Sequence, residues 1–181
     1  MNVGSISRMD STSPWVIEAI NALSLKARVR HLDGFERAEV LGHVADTFLN
    51  PPSVLFWRER LKVPAESWAT EQGHKHLPDL ASDPEGACWL ITGLEDPDAK
   101  RGVFECTPVL AAALIDECPA FEYAVVDQAL TWLVIENHHG VLVATGDASG
   151  CHGCGDSHAL QRISPGDSFL FQAVTLLPAE K

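Results

Sequence analysis

Cationic side chains are scarce in this 181-residue chain: thirteen Lys and Arg stand against twenty-five Asp and Glu, a formal charge of -12. That shortage disfavours nucleic acid or an anionic membrane as the main partner, because phosphate binding draws on clustered Lys and Arg. A cationic protein partner suits the balance better, although an acidic surface also serves solubility alone. Long apolar runs are missing too. The longest, around Leu130 to Ile135, is strand-sized and far short of the roughly 20 residues that cross a bilayer. Residues Met1 to Ser13 lack the apolar stretch of a signal peptide and read as a loose tail. With no such signal, the odd count of five cysteines predicts a cytoplasmic chain with mostly reduced thiols. The sequence has no G-x-S-x-G, G-x-x-x-x-G-K, G-x-G-x-x-G or H-E-x-x-H, so the common hydrolase, nucleotide-binding and metalloprotease classes find no support.

What is present is an ordinary globular composition, 46% apolar and 21% charged, which argues against wholesale disorder. The stretch Phe121 to Asp147 is its centre. It reads as three strands, FEYAVVD, LTWLVIE and GVLVATGD, joined by Asp127-Gln128-Ala129 and by the polar corner Asn137-His138-His139-Gly140. In the first strand Phe121, Tyr123 and Val125 point one way and Glu122, Ala124 and Val126 the other; the next two are apolar on nearly both faces. Both faces of such a sheet need cover.

The cover is predicted N-terminally. Ser13 caps a helix opening at Pro14, with Val16, Ile20, Leu23 and Ala27 on one stripe. Asp33 and Glu36 have capping-box spacing ahead of Phe35, Ala38, Leu41, Ala45 and Phe48, and Asn50-Pro51-Pro52 stops that helix. A shorter helix is expected from Ser53 to Leu61. From Val63 to Gly86 the periodicity fades, with one helical turn expected around Trp68 and with His74 and His76 in an exposed loop. Ala87 to Thr92 and Gly102 to Cys106 read as strands, and Thr107-Pro108 opens a helix that Cys118-Pro119 ends. Residues 164 to 176 allow helix or strand, with helix favoured.

The resulting expectation is an α+β fold: a mixed or antiparallel sheet of about five strands covered by N-terminal helices. It runs as one domain over 14–181, with a helical cover at 14–70, a sheet-containing core at 87–147 and a Cys/Gly loop plus final segment at 148–181.

Four constellations bear on chemistry. Cys151 and Cys154, two residues apart in a glycine-rich loop, with His158 four further on, can supply three zinc ligands, and zinc is the one cofactor the sequence suggests. Free thiols on a surface loop, or a redox pair, explain the same residues. At the corner, Glu136, Asn137, His138 and His139 offer a carboxylate and imidazoles for acid-base work or for recognition, with recognition the stronger reading; adjacent histidines on a strand diverge. Cys88, Cys106 and Cys118 read as buried, inert thiols. Of the five tryptophans most belong to the core, whereas Trp68 is expected to face a partner. The acidic run Glu95, Asp96 and Asp98 reads as a solvated turn that can join a recognition surface.

The run CPAFEYAVVDQALTWLVIENHHGVLVATGD, with the strand and helix before it, resembles small bacterial proteins carrying Glu-Tyr, Val-Asp, Trp-Leu and Glu-Asn-His-His in two consecutive strands. Those are similar to immunity proteins of bacterial toxin systems. The resemblance covers residues 102–147 and assigns no functional residue. It implies a cytoplasmic, acidic, non-enzymatic protein that neutralises a toxin by covering its active surface, with a basic toxin domain as partner and neither nucleic acid nor membrane. The alternative is a zinc-binding domain or metal-dependent enzyme built on Cys151, Cys154 and His158.

Overall fold

The computed structural model describes residues 14–50, 61–62, 64–70, 72–94, 101–150 and 161–162. Helix α1 (Pro14–Ala22) is followed by β1 (Arg30–His31), α2 (Gly34–Phe48), β2 (Ala65–Ala69), a 3-10 turn (Gly73–His76) and α3 (Leu77–Leu80). Then come β3 (Cys88–Thr92), β4 (Gly102–Cys106), α4 (Pro108–Asp116), β5 (Tyr123–Asp127), β6 (Trp132–Glu136), β7 (Val141–Gly146) and β8 (Gln161–Arg162). The strands form one sheet in the order β1-β4-β3-β5-β6-β7-β2-β8, and every pairing in it is antiparallel.

The α+β class and the central strands agree with the sequence. Strand alternation sorts the core into two layers. Cys88, Leu90, Phe104, Tyr123, Val125, Trp132, Val134, Leu142 and Ala144 pack in one layer with residues of α1, α3 and α4. Ile91, Val103, Ala124, Val126, Leu133 and Ile135 pack in the other with Val40, Val44, Ala45 and Phe48 of α2. With no face open to water, β6 is buried along its whole length.

Local chemistry sets the boundaries. Asp33 caps α2, its Oδ1 accepting from Phe35 N at 2.9 Å and Glu36 N at 3.1 Å. The Glu36 carboxylate turns instead to Arg30, 2.8 Å away, which also pairs with Glu105 across the β1–β4 edge. Thr107 Oγ1 caps α4 by accepting from Leu110 N at 3.3 Å, with Pro108 in the first turn where its missing N–H costs nothing. Asp127 organises the β5–β6 turn: Oδ1 accepts from Thr131 N at 2.7 Å and Trp132 N at 2.9 Å, and Oδ2 from Thr131 Oγ1 at 2.8 Å.

Several expectations are corrected. Among the described residues the sheet has eight strands instead of about five. The 14–70 cover is not wholly helical: it contributes β1 and β2, and α3 and α4 share in covering the first layer. Residues Ala65–Ala69 form no helical turn, because they pair along β7 from Ala65↔Thr145 to Ala69↔Val141. Trp68 is consequently a core residue, 7% exposed, and not the open side chain expected from the sequence. Trp15, 44% exposed on α1, is the more open tryptophan. In α2 the inward stripe is Val40, Val44, Ala45 and Phe48, and Phe35 stands in solvent at 79%. The histidines at 74 and 76 lie half-buried in the 3-10 turn and not in an exposed loop. The tail 1–13, most of the helix expected from Ser53 to Leu61, the acidic run 95–98 and residues 163–181 lie outside the described residues.

Two glycines test this geometry in opposite directions. Gly140 closes the β6–β7 turn at φ +68, and a Cβ there would sit 2.4 Å from the Thr70 carbonyl oxygen. Gly140→Ala is expected to destabilise by about 2 kcal/mol. Gly42, inside α2 with nothing within 4 Å of its added Cβ, is expected to gain roughly 0.5–1 kcal/mol as Gly42→Ala. Denaturant unfolding of the two variants checks both signs.

Candidate functional site

The polar groups collect at one end of the sheet. The registers place Thr92 opposite Tyr123, and Tyr123 opposite Glu136, so three neighbouring strands present a row of polar side chains to the layer under α1, α3 and α4. Glu136 is only 8% exposed. Its Oε2 accepts from the Tyr123 hydroxyl, and its Oε1 accepts from Gly73 N at 3.1 Å. A Cβ on Gly73 would lie 2.6 Å from this carboxyl group, so only glycine lets the turn approach so closely. Burial, then the Glu136 charge, pushes the Tyr123 phenol well above its ordinary value, which keeps it a donor. Thr92 Oγ1, beside this pair, is buried with no hydrogen-bond partner among the described residues.

Outside this sealed pair sits the corner. Asn137 Oδ1 accepts from His139 N at 3.1 Å and from Val141 N at 3.0 Å, and Gly140 N donates to Asn137 O at 3.1 Å. Because His138 and His139 occupy a turn instead of a strand, their rings do not diverge; their centroids are 3.8 Å apart. His138 Nδ1 lies 2.6 Å from Glu122 Oε1, with its side chain 56% exposed. On the neighbouring turn His74 Nε2 lies 3.0 Å from Asp116 Oδ1, and Lys75 Nζ is 3.9 Å from the same atom. The Lys75 ammonium offsets an acid at the C-terminal end of α4, where the helix dipole disfavours one.

The candidate residues thus separate by accessibility. Glu136 is an internal anchor tying the Gly73 turn to the sheet, with both oxygens engaged, and offers no open base for chemistry. Asn137 shapes the turn, while His138 and His139 face outward. Trp68 is buried two strands away on β2. Glu95, Asp96 and Asp98, and the candidate metal ligands Cys151, Cys154 and His158, lie outside the described residues. Among the described residues no group of three or more His, Cys, Asp or Glu is placed to hold a metal ion. No helix among them is long and apolar enough to cross a membrane.

Sequence reasoning passed over Tyr123, Glu122, Gly73 and Asp116. The signal for Tyr123 was available: with Asp127 and Thr131 bracketing a tight turn, pairing Val126 with Leu133 brings the chain's one tyrosine opposite Glu136.

No family model and no solved structure matches the chain. A rat protein, telomeric repeat-binding factor 2-interacting protein 1, is 35% identical over 101 residues, which are 55% of this chain and 24% of the rat protein. The chain therefore spans about a quarter of that relative's length. This match corrects the partner expectation, a basic toxin domain with nucleic acid excluded. The relative is named for interaction with a telomeric repeat-binding factor, which is a nucleic-acid-associated setting. Charge misled because a net value of -12 describes the average surface and does not say in which assembly a protein works.

Removing the phenol tests the sealed pair. Tyr123→Phe leaves Glu136 short of a donor in a buried site and is expected to cost roughly 1–3 kcal/mol. The pH dependence has a definite sign. The folded phenol holds its proton to higher pH than the unfolded one, whose ordinary value is 10.0. Its stabilising contribution is therefore complete below that value and declines as pH rises beyond it. Unfolding free energies measured from pH 8 to 11 should fall more steeply for the wild type than for Tyr123→Phe.

Proposed function

We propose that the chain is a binding module that acts by covering a surface of a protein partner, without turnover, and that this partner belongs to a nucleic-acid-associated assembly. One observation carries the reading: the carboxylate best placed for chemistry, Glu136, is sealed by Tyr123 and Gly73. The groups turned outward around it, Glu122 ahead of β5, His138 and His139 in the β6–β7 turn, and Asp116 and Glu117 at the end of α4, are charged or ring-bearing groups suited to recognition. Occlusion is also how the immunity proteins act that residues 102–147 resemble. The rat relative's name supplies the setting. Proteins of such assemblies present Lys and Arg, and an acidic module meets them with a complementary field that raises the association rate. Cytoplasmic placement, with reduced thiols, belongs to the same proposal.

The test is retention of nucleic-acid-associated proteins on the immobilised chain before and after nuclease digestion. A protein retained after digestion supports direct protein contact. Loss of all retention with the nucleic acid overturns it, as would turnover of a substrate at the corner. With the retained protein in hand, the triple variant Asp116→Lys, Glu117→Lys, Glu122→Lys is expected to associate about tenfold more slowly at low salt. The difference should shrink toward 0.5 M salt, a concentration of roughly 500 mM at which exposed charges are screened. Stopped-flow association at two ionic strengths measures this.

A further inference from the structure

We propose that Cys88 and Cys106 are a modification site: the two thiols form a cross-strand disulfide on meeting a small-molecule disulfide oxidant of the glutathione type. This goes beyond the binding role and does not depend on it. The two residues are direct partners in the β3–β4 ladder, and their Sγ atoms are 4.0 Å apart. Facing positions of an antiparallel ladder have Cα atoms about 4.5–5.5 Å apart, within the range a disulfide spans. Rotation about the side-chain torsions, with a small backbone adjustment, is then what separates the thiol pair from the bonded pair. Both side chains point into the same core layer, so they approach each other and not opposite faces.

The environment decides the order of events. Cys88 is fully buried, whereas Cys106 is 5% exposed and ends β4, one residue past the last β1 pairing at Glu105. Cys106 is therefore the sulfur that an oxidant reaches first when the strand end frays. Its thiolate attacks the oxidant's disulfide, forming a mixed disulfide and releasing one thiol. The Cys88 thiolate then attacks Cys106 Sγ and displaces the second thiol. Two protein S–H bonds are lost, one S–S bond forms, and the oxidant's disulfide is reduced to two thiols. The Cys106 sulfur as hydrogen-bond partner, together with burial, pushes the Cys88 thiol far above its ordinary value. The pair accordingly stays reduced until the site opens. Cys118 is no competitor of the same kind: burial, with Glu117 and Glu18 adding, pushes its thiol up to about 11, and no described sulfur lies across from it.

The experiment equilibrates the folded chain in glutathione buffers from reducing to oxidising, quenches with acid, and maps disulfides by mass spectrometry after alkylation under denaturant. The expected result is a peptide pair joined through Cys88 and Cys106, about 2 Da lighter than the two thiol peptides together. The Cys151→Ser, Cys154→Ser variant should give the same pair, and Cys88→Ser should leave Cys106 alkylated or capped by glutathione. Three results overturn the proposal. One is full alkylation of both cysteines at every ratio; the second is linkage of either to Cys118, Cys151 or Cys154; the third is linkage to a second chain. Mapping the wild type keeps the test decisive should a serine variant fold poorly.

Discussion

Everything at the polar end of this protein depends on the register of β5 against β6. Asp127 fixes it by gathering two backbone N–H groups and a hydroxyl into the turn between the strands. A slip of one residue would send every side chain of one strand to the opposite face. Glu136 would then enter the layer beneath α2 without a phenol to receive it, and an unpaired carboxylate in that apolar layer would cost more than the marginal stability of a domain allows. Placing Tyr123 across from Glu136 is thus both a consequence of the register and a reason the alternative is not populated.

The same row divides the acidic chain into two populations of carboxylate. Glu136 is buried and satisfied by its own fold; Asp116, Glu117 and Glu122 stand at or near the surface, with His74, Lys75 and His138 alongside two of them. Paired surface groups of this kind contribute little to stability. Under the proposed binding role their value lies in what approaches the molecule, where the field of surface charges governs encounter and orientation. The rat relative, matched over 55% of this chain, is itself named for a nucleic-acid-associated setting, which net charge alone argued against for this chain.

Much of the fold was legible in the sequence because its strong elements are locally consistent. Alternation marked β5, short apolar runs marked β3, β6 and β7, and capping residues marked α2 and α4, since each signal is a short-range preference that the tertiary structure also uses. What stayed hidden depends on distant partners. Ala-Glu-Ser-Trp-Ala has little intrinsic tendency to extend, and becomes β2 through its pairing with β7 more than seventy positions on. The two residues of β1 are too few to carry a period. Phe35 fits a helical stripe by spacing, yet it sits in the first turn of α2, beyond the edge of the layer that Val40, Val44 and Phe48 reach. At the site, the residue types were visible while their burial was not, because whether Glu136 faces water is decided by a glycine turn from another part of the chain.

Helices α1 and α2 lie on opposite faces, and β1 between them pairs at the sheet's outer edge. Residues 14–50 therefore straddle that edge like a clip. Arg30 meets Glu105 across 75 positions, whereas the β3–β4, β5–β6 and β6–β7 pairings join strands that are consecutive in the chain. Loop-closure entropy grows with separation, so the meander is the cheaper structure to nucleate and the clip gains its contacts only once there is an edge to grip. A chain assembled in that order guards its exposed β4 edge last, which makes the N-terminal segment the natural safeguard against edge-to-edge pairing with other copies.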